Sequence, residues 1–151
     1  MKLIMIKVDI SCDPANILKP NETKIKKIIK TVYQNENVYD SNVSIIFTND
    51  ELVSSLKKSF FKINELTDVI AFRLNDYSEK MIEGEIYISV ERVFHNAKKY
   101  NEKKTNEISR VLIHGILHLL NYKDNEKESK DLMTSKENYY LTKVDCECFN
   151  V

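Results

Sequence analysis

The sequence predicts an α/β (α+β) fold: a small mixed sheet of about four strands covered by about five helices, in a single domain over residues 1–151. Three observations lead to this class. The chain has 151 residues, the length of one ordinary domain with a sizeable core. Only two Gly and two Pro interrupt it, so most residues should lie in regular structure. Runs of β-branched residues also alternate with segments whose apolar side chains recur at helical spacing.

The first half of the chain alternates strand and helix. A first strand is predicted over Leu3–Val8, which is apolar and rich in β-branched residues. A helix from Pro20 to about Gln34 follows, because its apolar residues recur at helical spacing. Val43–Phe47 is predicted as the second strand. The polar and acidic residues of Thr48–Glu51 are typical of a helix start, and this helix should reach about Phe61.

The second half adds two strands and three helices. The strands are predicted over Val69–Phe72 and Glu85–Val90. Each helix has a predicted capping residue or start. In order, Ser89 caps a helix that reaches about Tyr100, Thr105 or Asn106 caps one that reaches Leu120, and the last helix covers Glu126–Tyr140.

Composition limits the class of protein without naming its partner. Lys plus Arg and Asp plus Glu are 23 each, and this balance neither indicates nor excludes nucleic acid. The three cysteines are an odd number with no C-x-x-C pair, which predicts reduced thiols, although a Cys146/Cys148 metal site is an alternative. The sequence shows no secretory signal and no apolar run of about 18 residues, so we expect a cytoplasmic protein that does not enter a membrane.

Two histidines interrupt an otherwise apolar helical segment, residues 111–120. His114 and His118 are four residues apart, so their side chains should project from the same face of the helix. Burying an imidazole is unfavourable unless its nitrogens find partners. A shared metal ion would satisfy one nitrogen of each ring. Two core histidines bonded to backbone or to carboxylates would also explain this spacing.

The residues after this helix favour the metal. Asn121 stands where a left-handed residue commonly ends a helix, and such a turn can send the chain back across the histidine face. Asp124 could then supply a third ligand, leaving one zinc position open for water. Gly115 occupies the position of the general-base glutamate in H-E-x-x-H peptidases, which disfavours a peptidase. We expect Gly115 to let substrate or another backbone approach the metal.

Three segments resemble the bacterial YbeY family. Residues 114–124, H-G-I-L-H-L-L-N-Y-K-D, are similar to its signature H-G-x-L-H-L-x-G-Y-D-H. Residues 66–72 are similar to the family's P-T-D-V-L-S-F, and residues 84–89 to its G-D-I-x-I-S strand. The resemblance implies a zinc-dependent endoribonuclease of single-stranded RNA, with one zinc ion per chain. It also implies rRNA processing at the 3′ end of the small-subunit RNA, ribosome quality control, and contacts with the small ribosomal subunit and its assembly factors.

The chain departs from the family pattern at two functional positions. The family's third zinc-binding histidine falls on Asp124, although a one-residue shift would place Asn125 there instead. A carboxylate ligand should make the ion a weaker Lewis acid and widen the choice of metal toward manganese or iron. The family's active arginine falls on Phe61, so Lys62 or Arg73 is a candidate to supply positive charge near the scissile phosphate.

Three functions therefore stay open from the sequence. The first is the metal-dependent endoribonuclease, with His114, His118 and Asp124 as ligands and catalytic centre. The second is a ribosome-assembly factor that binds RNA or the small ribosomal subunit but is catalytically weak or inactive because of Asp124 and Phe61. The third is a zinc hydrolase of peptides or small molecules. Two further features stay ambiguous: Asp68 fits either a turn or the polar edge of the cleft, and Arg110 fits either a charged surface or a phosphate groove.

Overall fold

The computed structural model describes residues 3–149, which form four strands and five helices. The predicted fold class is confirmed. The assignment of residues 1–151 to one domain stays a prediction, and residues 1, 2, 150 and 151 lie outside the described part. The elements in chain order are β1 (Met5–Cys12), α1 (Glu22–Asn35), β2 (Asp40–Thr48), α2 (Asp50–Phe61), β3 (Val69–Arg73), β4 (Ile82–Ser89), α3 (Val90–Lys99), α4 (Lys104–Leu119) and α5 (Lys127–Leu141).

The four strands form one mixed sheet in the order β1-β2-β4-β3. β1, β2 and β4 are parallel, whereas β3 runs antiparallel to β4. Side chains alternate between the two faces, and the register places Ile45 of β2 between Ile10 of β1 and Ile86 of β4. Ile45 and Ile86 are fully buried, so this face of the sheet packs against the hydrophobic core.

Capping residues explain where most of the helices begin. The side chain of Asn49 accepts a hydrogen bond from the backbone N–H of Leu52 at the start of α2, and Ser89 accepts one from Arg92 at the start of α3. The expectation that Thr105 or Asn106 caps α4 was wrong. Lys103 precedes α4 without a side-chain cap, and Thr105 is buried, with its hydroxyl 3.5 Å from Glu147.

β1 lies further along the chain than its composition predicts. Its pairing with β2 starts at Met5, opposite Asp40, and continues to Cys12, opposite Phe47. Leu3 precedes the paired residues and is 77% exposed. The partner strand therefore sets the bounds of β1, because polar residues such as Asp9 are tolerated on its solvent face.

Both glycines allow α4 to lie close against the sheet. A Cβ atom at Gly115 would lie 2.9 Å from Cγ2 of Ile86, and a Cβ atom at Gly84 would lie 2.7 Å from Cδ1 of Leu119. The expectation that Gly115 admits substrate or backbone to the metal was therefore wrong, since Gly115 faces the sheet. α4 also contacts α1, α3 and α5. No helix within residues 3–149 is long and apolar enough to cross a bilayer.

Candidate metal centre

His114 and His118 lie on one half-buried face of α4, as their spacing predicts. Their side chains are 23% and 29% exposed. Their Nε2 atoms are 2.9 Å apart, so the two rings present one nitrogen each to the same point. The neighbouring helix positions, including Ile113, Gly115 and Leu117, are buried in the core. Packing of the rest of α4 thus fixes the direction in which the two imidazoles point.

A tight turn at the end of α4 returns the chain to the two histidines. Asn121 has a φ of 73°, the left-handed conformation predicted for it. Its N–H donates to the carbonyl of His118, and the N–H of Tyr122 donates to the carbonyl of Leu117, which together form a Schellman motif. Asp124 is carried back by this turn, and its Oδ2 lies 3.3 Å from Nε2 of each histidine.

These three atoms fit the ligand set of a single metal ion. Zinc binds His nitrogen and carboxylate oxygen at about 2.0–2.2 Å, which in a tetrahedron separates the ligand atoms by about 3.3–3.6 Å. The two distances to Asp124 match that spacing, and the 2.9 Å between the imidazole nitrogens is slightly shorter. Within residues 3–149, His114, His118 and Asp124 are the one group of at least three His, Cys, Asp or Glu side chains close enough to share an ion. They could hold a metal and leave a fourth position for water.

Each histidine is oriented through its other ring nitrogen. Nδ1 of His114 is 2.6 Å from Oε2 of Glu137, and Nδ1 of His118 is 2.9 Å from the carbonyl of Tyr122. When Nδ1 donates its proton in these bonds, Nε2 keeps a free lone pair for a metal. The other oxygen of Glu137 accepts from Nη1 of Arg110 at 3.0 Å. Arg110, a candidate phosphate contact from the sequence, therefore holds a carboxylate of the metal centre.

The sequence prediction missed Glu137, although a signal for it exists. Glu137 lies 23 residues after His114, on a helix whose sequence is mostly polar. On α5, Met133, Glu137 and Tyr140 are the buried residues, and their spacing of four and three places them on one stripe. A carboxylate in the middle of a buried stripe needs a partner, and this is the pattern that could have identified it.

The electrostatic surroundings of the two histidine rings differ. Burial, and then the nearby charge of His114, lower the pKa of His118, which favours the neutral ring that binds metal. Burial also acts to lower the pKa of His114, but the hydrogen bond and charge of Glu137, aided by Asp124, raise it overall. A proton on His114 is therefore the main competitor of a metal at low pH.

Asp68 lies close enough to this centre to interact electrostatically with His114. Burial raises the pKa of its carboxyl group above the usual range. Its carboxylate accepts a hydrogen bond of 3.4 Å from the side chain of Asn96, and its carbonyl accepts one from the N–H of Ser89. Asp68 thus lies just before β3, within electrostatic reach of His114, and both interpretations of it stay open.

The two cations predicted to contact phosphate have different surroundings. Lys62 ends α2 with a φ of 60°, and its exposed ammonium donates to the carbonyl of Ser59. Arg73 instead donates to backbone carbonyls, those of Leu119, Asp76, Glu79 and Met81. These bonds tie the β3–β4 connection to the end of α4. Catalytic roles for Lys62 and Arg73 stay predictions.

The fold and the site together define a class of metalloprotein: a helix buried against a mixed sheet presents two histidines, and the turn after it returns a carboxylate. The family model described as Endoribonuclease YbeY matches residues 9–145. The chain belongs to the YbeY family.

Individual relatives agree with this assignment. The chain is 40% identical to Endoribonuclease YbeY of Chloroherpeton thalassium over 120 residues, 80% of this chain and 84% of the relative. It is 39% identical to Endoribonuclease YbeY of Amoebophilus asiaticus over 122 residues, 81% and 82% of the two chains. A Thermotoga maritima protein solved in solution is similar in structure, with a TM-score of 0.57 and 26% identity over 91% of this chain and 87% of that protein.

Proposed function

We propose that this protein is a metal-dependent endoribonuclease that cleaves single-stranded RNA and acts in rRNA processing. One observation carries the proposal: Nε2 of His114, Nε2 of His118 and Oδ2 of Asp124 converge within 3.3 Å of one another. Membership of a family whose curated relatives are named endoribonucleases supports the choice of RNA as substrate.

An ion held by these three side chains would polarise the scissile phosphate and make its bound water more acidic. Zinc is the expected ion because imidazole and carboxylate ligands at this spacing suit it, with manganese or iron as alternatives. Glu137 and the carbonyl of Tyr122 hold the two imidazoles in the ligating tautomer. Asp124 contributes a negative charge, so the centre should attract the phosphodiester less strongly than one with three neutral ligands.

Single-stranded RNA is the expected form, since its unstacked bases leave the phosphates accessible and can be bound by stacking. Lys62 is exposed and is a candidate contact for a backbone phosphate. The proposal extends to maturation of the small-subunit rRNA 3′ end, to ribosome quality control, and to contacts with the small ribosomal subunit and its assembly factors. It places the protein in the cytoplasm, which fits the three free thiols.

The test compares cleavage of one end-labelled RNA in single-stranded and duplex form, with a DNA strand of the same sequence as control. We expect the zinc-loaded protein to cut the single-stranded RNA internally, and a chelator to stop the reaction. Asp124→Asn keeps the size of the side chain but removes its charge, so it should lose metal and cleavage together. Metal-loaded protein that leaves the single-stranded RNA intact would contradict the proposal.

A catalytically weak RNA-binding assembly factor is the second candidate, and Phe61 favours it. The ring of Phe61 stacks on that of Phe72 with a centroid distance of 5.9 Å, so this position holds an apolar contact in place of a cation. Such a factor would bind the single-stranded RNA with a steep salt dependence and leave it uncut.

A further inference from the structure

A second polar cluster, which is half-buried, lies beside the metal centre, around Glu36 at the end of α1. The side chain of Glu36 is 10% exposed. Its Oε1 accepts a hydrogen bond from the hydroxyl of Tyr122 at 2.5 Å. Its Oε2 accepts from the hydroxyl of Tyr140 and from Nζ of Lys136 at 3.1 Å. One carboxylate thus joins α1, α5 and the loop between α4 and α5.

Tyr122 connects this cluster to the metal ligands. Its carbonyl is the partner of Nδ1 of His118, at 2.9 Å, and it precedes Asp124 by two residues. From Tyr122 to Asp124 the chain has neither helix nor strand, so regular structure does not hold this stretch in place. Nζ of Lys136 also lies 5.6 Å from the centroid of the Tyr122 ring. The side chain of Tyr122 is therefore an anchor for the segment that presents Asp124.

The donors around Glu36 suit an ionised carboxylate. Burial acts to raise its pKa, but the two tyrosine hydroxyls and Lys136 lower it overall, which keeps the group charged. Hydrogen bonds to a charged acceptor are stronger than neutral ones and restrict the position of the donor more tightly. A charged Glu36 consequently holds the Tyr122 hydroxyl, and with it the backbone of the loop.

We infer that Glu36 is a positioning residue for the metal centre, which acts through Tyr122 to hold Asp124 and the carbonyl bonded to His118 in ligand geometry. Glu36 does not touch the ion itself. This inference rests on the metal centre of the proposed function and adds a residue from α1 to its support. It concerns metal binding alone, so it does not depend on whether RNA is the substrate.

Two tyrosine variants form a matched pair for the test. Tyr122→Phe and Tyr140→Phe each remove one hydroxyl that donates to the same carboxylate. Only Tyr122 belongs to the loop. Tyr122→Phe therefore removes the hydrogen bond between Glu36 and the loop, whereas Tyr140→Phe keeps it. A general loss of stability should appear in both variants, whereas a loss of ligand positioning should appear in Tyr122→Phe alone.

The measurements are zinc affinity, by competition with a chromophoric chelator, and the visible absorption spectrum of the Co²⁺-substituted protein, which reports ligand geometry. We expect Tyr122→Phe to lose up to about tenfold in zinc affinity, the lower end of the range for a residue that supports metal ligands, and to shift the Co²⁺ spectrum. Tyr140→Phe should stay within about twofold of the unmodified protein in affinity and keep its spectrum.

A double-mutant cycle with Glu36→Gln gives the second readout. If Glu36 acts through Tyr122, Tyr122→Phe should have a smaller effect in the Glu36→Gln background than in the unmodified protein. Equal losses of affinity in Tyr122→Phe and Tyr140→Phe, or no loss in either, would overturn the inference. Failure of the proposed function looks different: the unmodified protein would bind zinc with the expected spectrum and still leave RNA uncut.

Discussion

Glu137 offers the sharpest test of how the metal centre is built, because it touches a ligand without being one. We predict that Glu137→Gln lowers zinc affinity while the protein stays folded. The variant keeps the size of the side chain but removes the charge that faces Nδ1 of His114 at 2.6 Å. The carboxylate side chain is only 8% exposed, so water cannot readily replace it.

The magnitude follows from the role of this contact. Substitution of an outer-shell partner of a metal-binding histidine typically lowers metal affinity about 10- to 100-fold, or about 1.4–2.7 kcal/mol. The contact is short and charge-assisted, which argues for the upper part of that range. Arg110 also loses a charged partner, but its side chain is 33% exposed and water can solvate it. The loss should therefore appear mainly as weaker metal binding.

The pH dependence of zinc affinity gives a second, independent test of this prediction. Glu137 raises the pKa of His114, so protons displace metal from the unmodified site as the pH falls through that raised value. Glu137→Gln removes this cause, and proton competition should begin at a lower pH. The affinity difference between the two proteins should be largest at neutral to alkaline pH and should shrink in acid.

The assay is competition for zinc with a chromophoric chelator from about pH 5.5 to about pH 8.5, a range that spans the ordinary pKa of histidine. Glu128→Gln is the matched control, since it makes the same substitution on the exposed first turn of α5. The control should bind zinc like the unmodified protein. Equal affinity of Glu137→Gln and Glu128→Gln at neutral pH would refute this account of His114.

Three further predictions concern packing, phosphate contact and the third ligand. Gly84→Ala should lower the free energy of unfolding by about 1–3 kcal/mol in urea titrations. The new Cβ would lie 2.7 Å from Leu119 and 3.1 Å from the carbonyl of Phe72. An unchanged urea midpoint would contradict this prediction. Lys62→Gly relieves the positive φ and should raise the free energy of unfolding by up to about 1 kcal/mol. RNA affinity should fall, and the dependence of log affinity on log salt concentration should become shallower by the contribution of about one phosphate contact. Unaltered RNA binding would exclude Lys62 as a phosphate contact. Asp124→His should retain zinc. It should also move the acid limb of the pH–rate profile to lower pH, because a neutral ligand leaves the bound water more acidic. An acid limb at the same pH would show that ligand charge does not set the rate.

Features that depend on local geometry could be predicted from the sequence. The spacing of His114 and His118 places both rings on one helix face whatever surrounds the helix. The left-handed turn at Asn121 follows from helix-ending chemistry, and it is enough to return Asp124 to that face. Most helices likewise begin near their capping residues. These predictions needed only interactions within a few residues of chain.

Features that depend on packing between distant segments were missed or misinterpreted. Glu137 meets His114 only because α5 packs against α4, and its own neighbourhood in the sequence is polar. Gly115 stands next to a ligand, which led to the expectation of room for substrate or another backbone, but its close neighbour is Ile86 of the sheet. In each case the partner lies far away in the chain, where periodicity and capping carry no information.

The central claim is that His114, His118 and Asp124 hold one metal ion, and metal content tests it most directly. The measurement is elemental analysis of the purified protein after zinc is supplied and excess is removed, beside His118→Ala and Asp124→Ala. The account predicts about one zinc per chain in the unmodified protein and loss of zinc in both variants. Zinc retained in Asp124→Ala would remove Asp124 from the ligand set. Absence of stoichiometric metal from the unmodified protein would contradict the account as a whole.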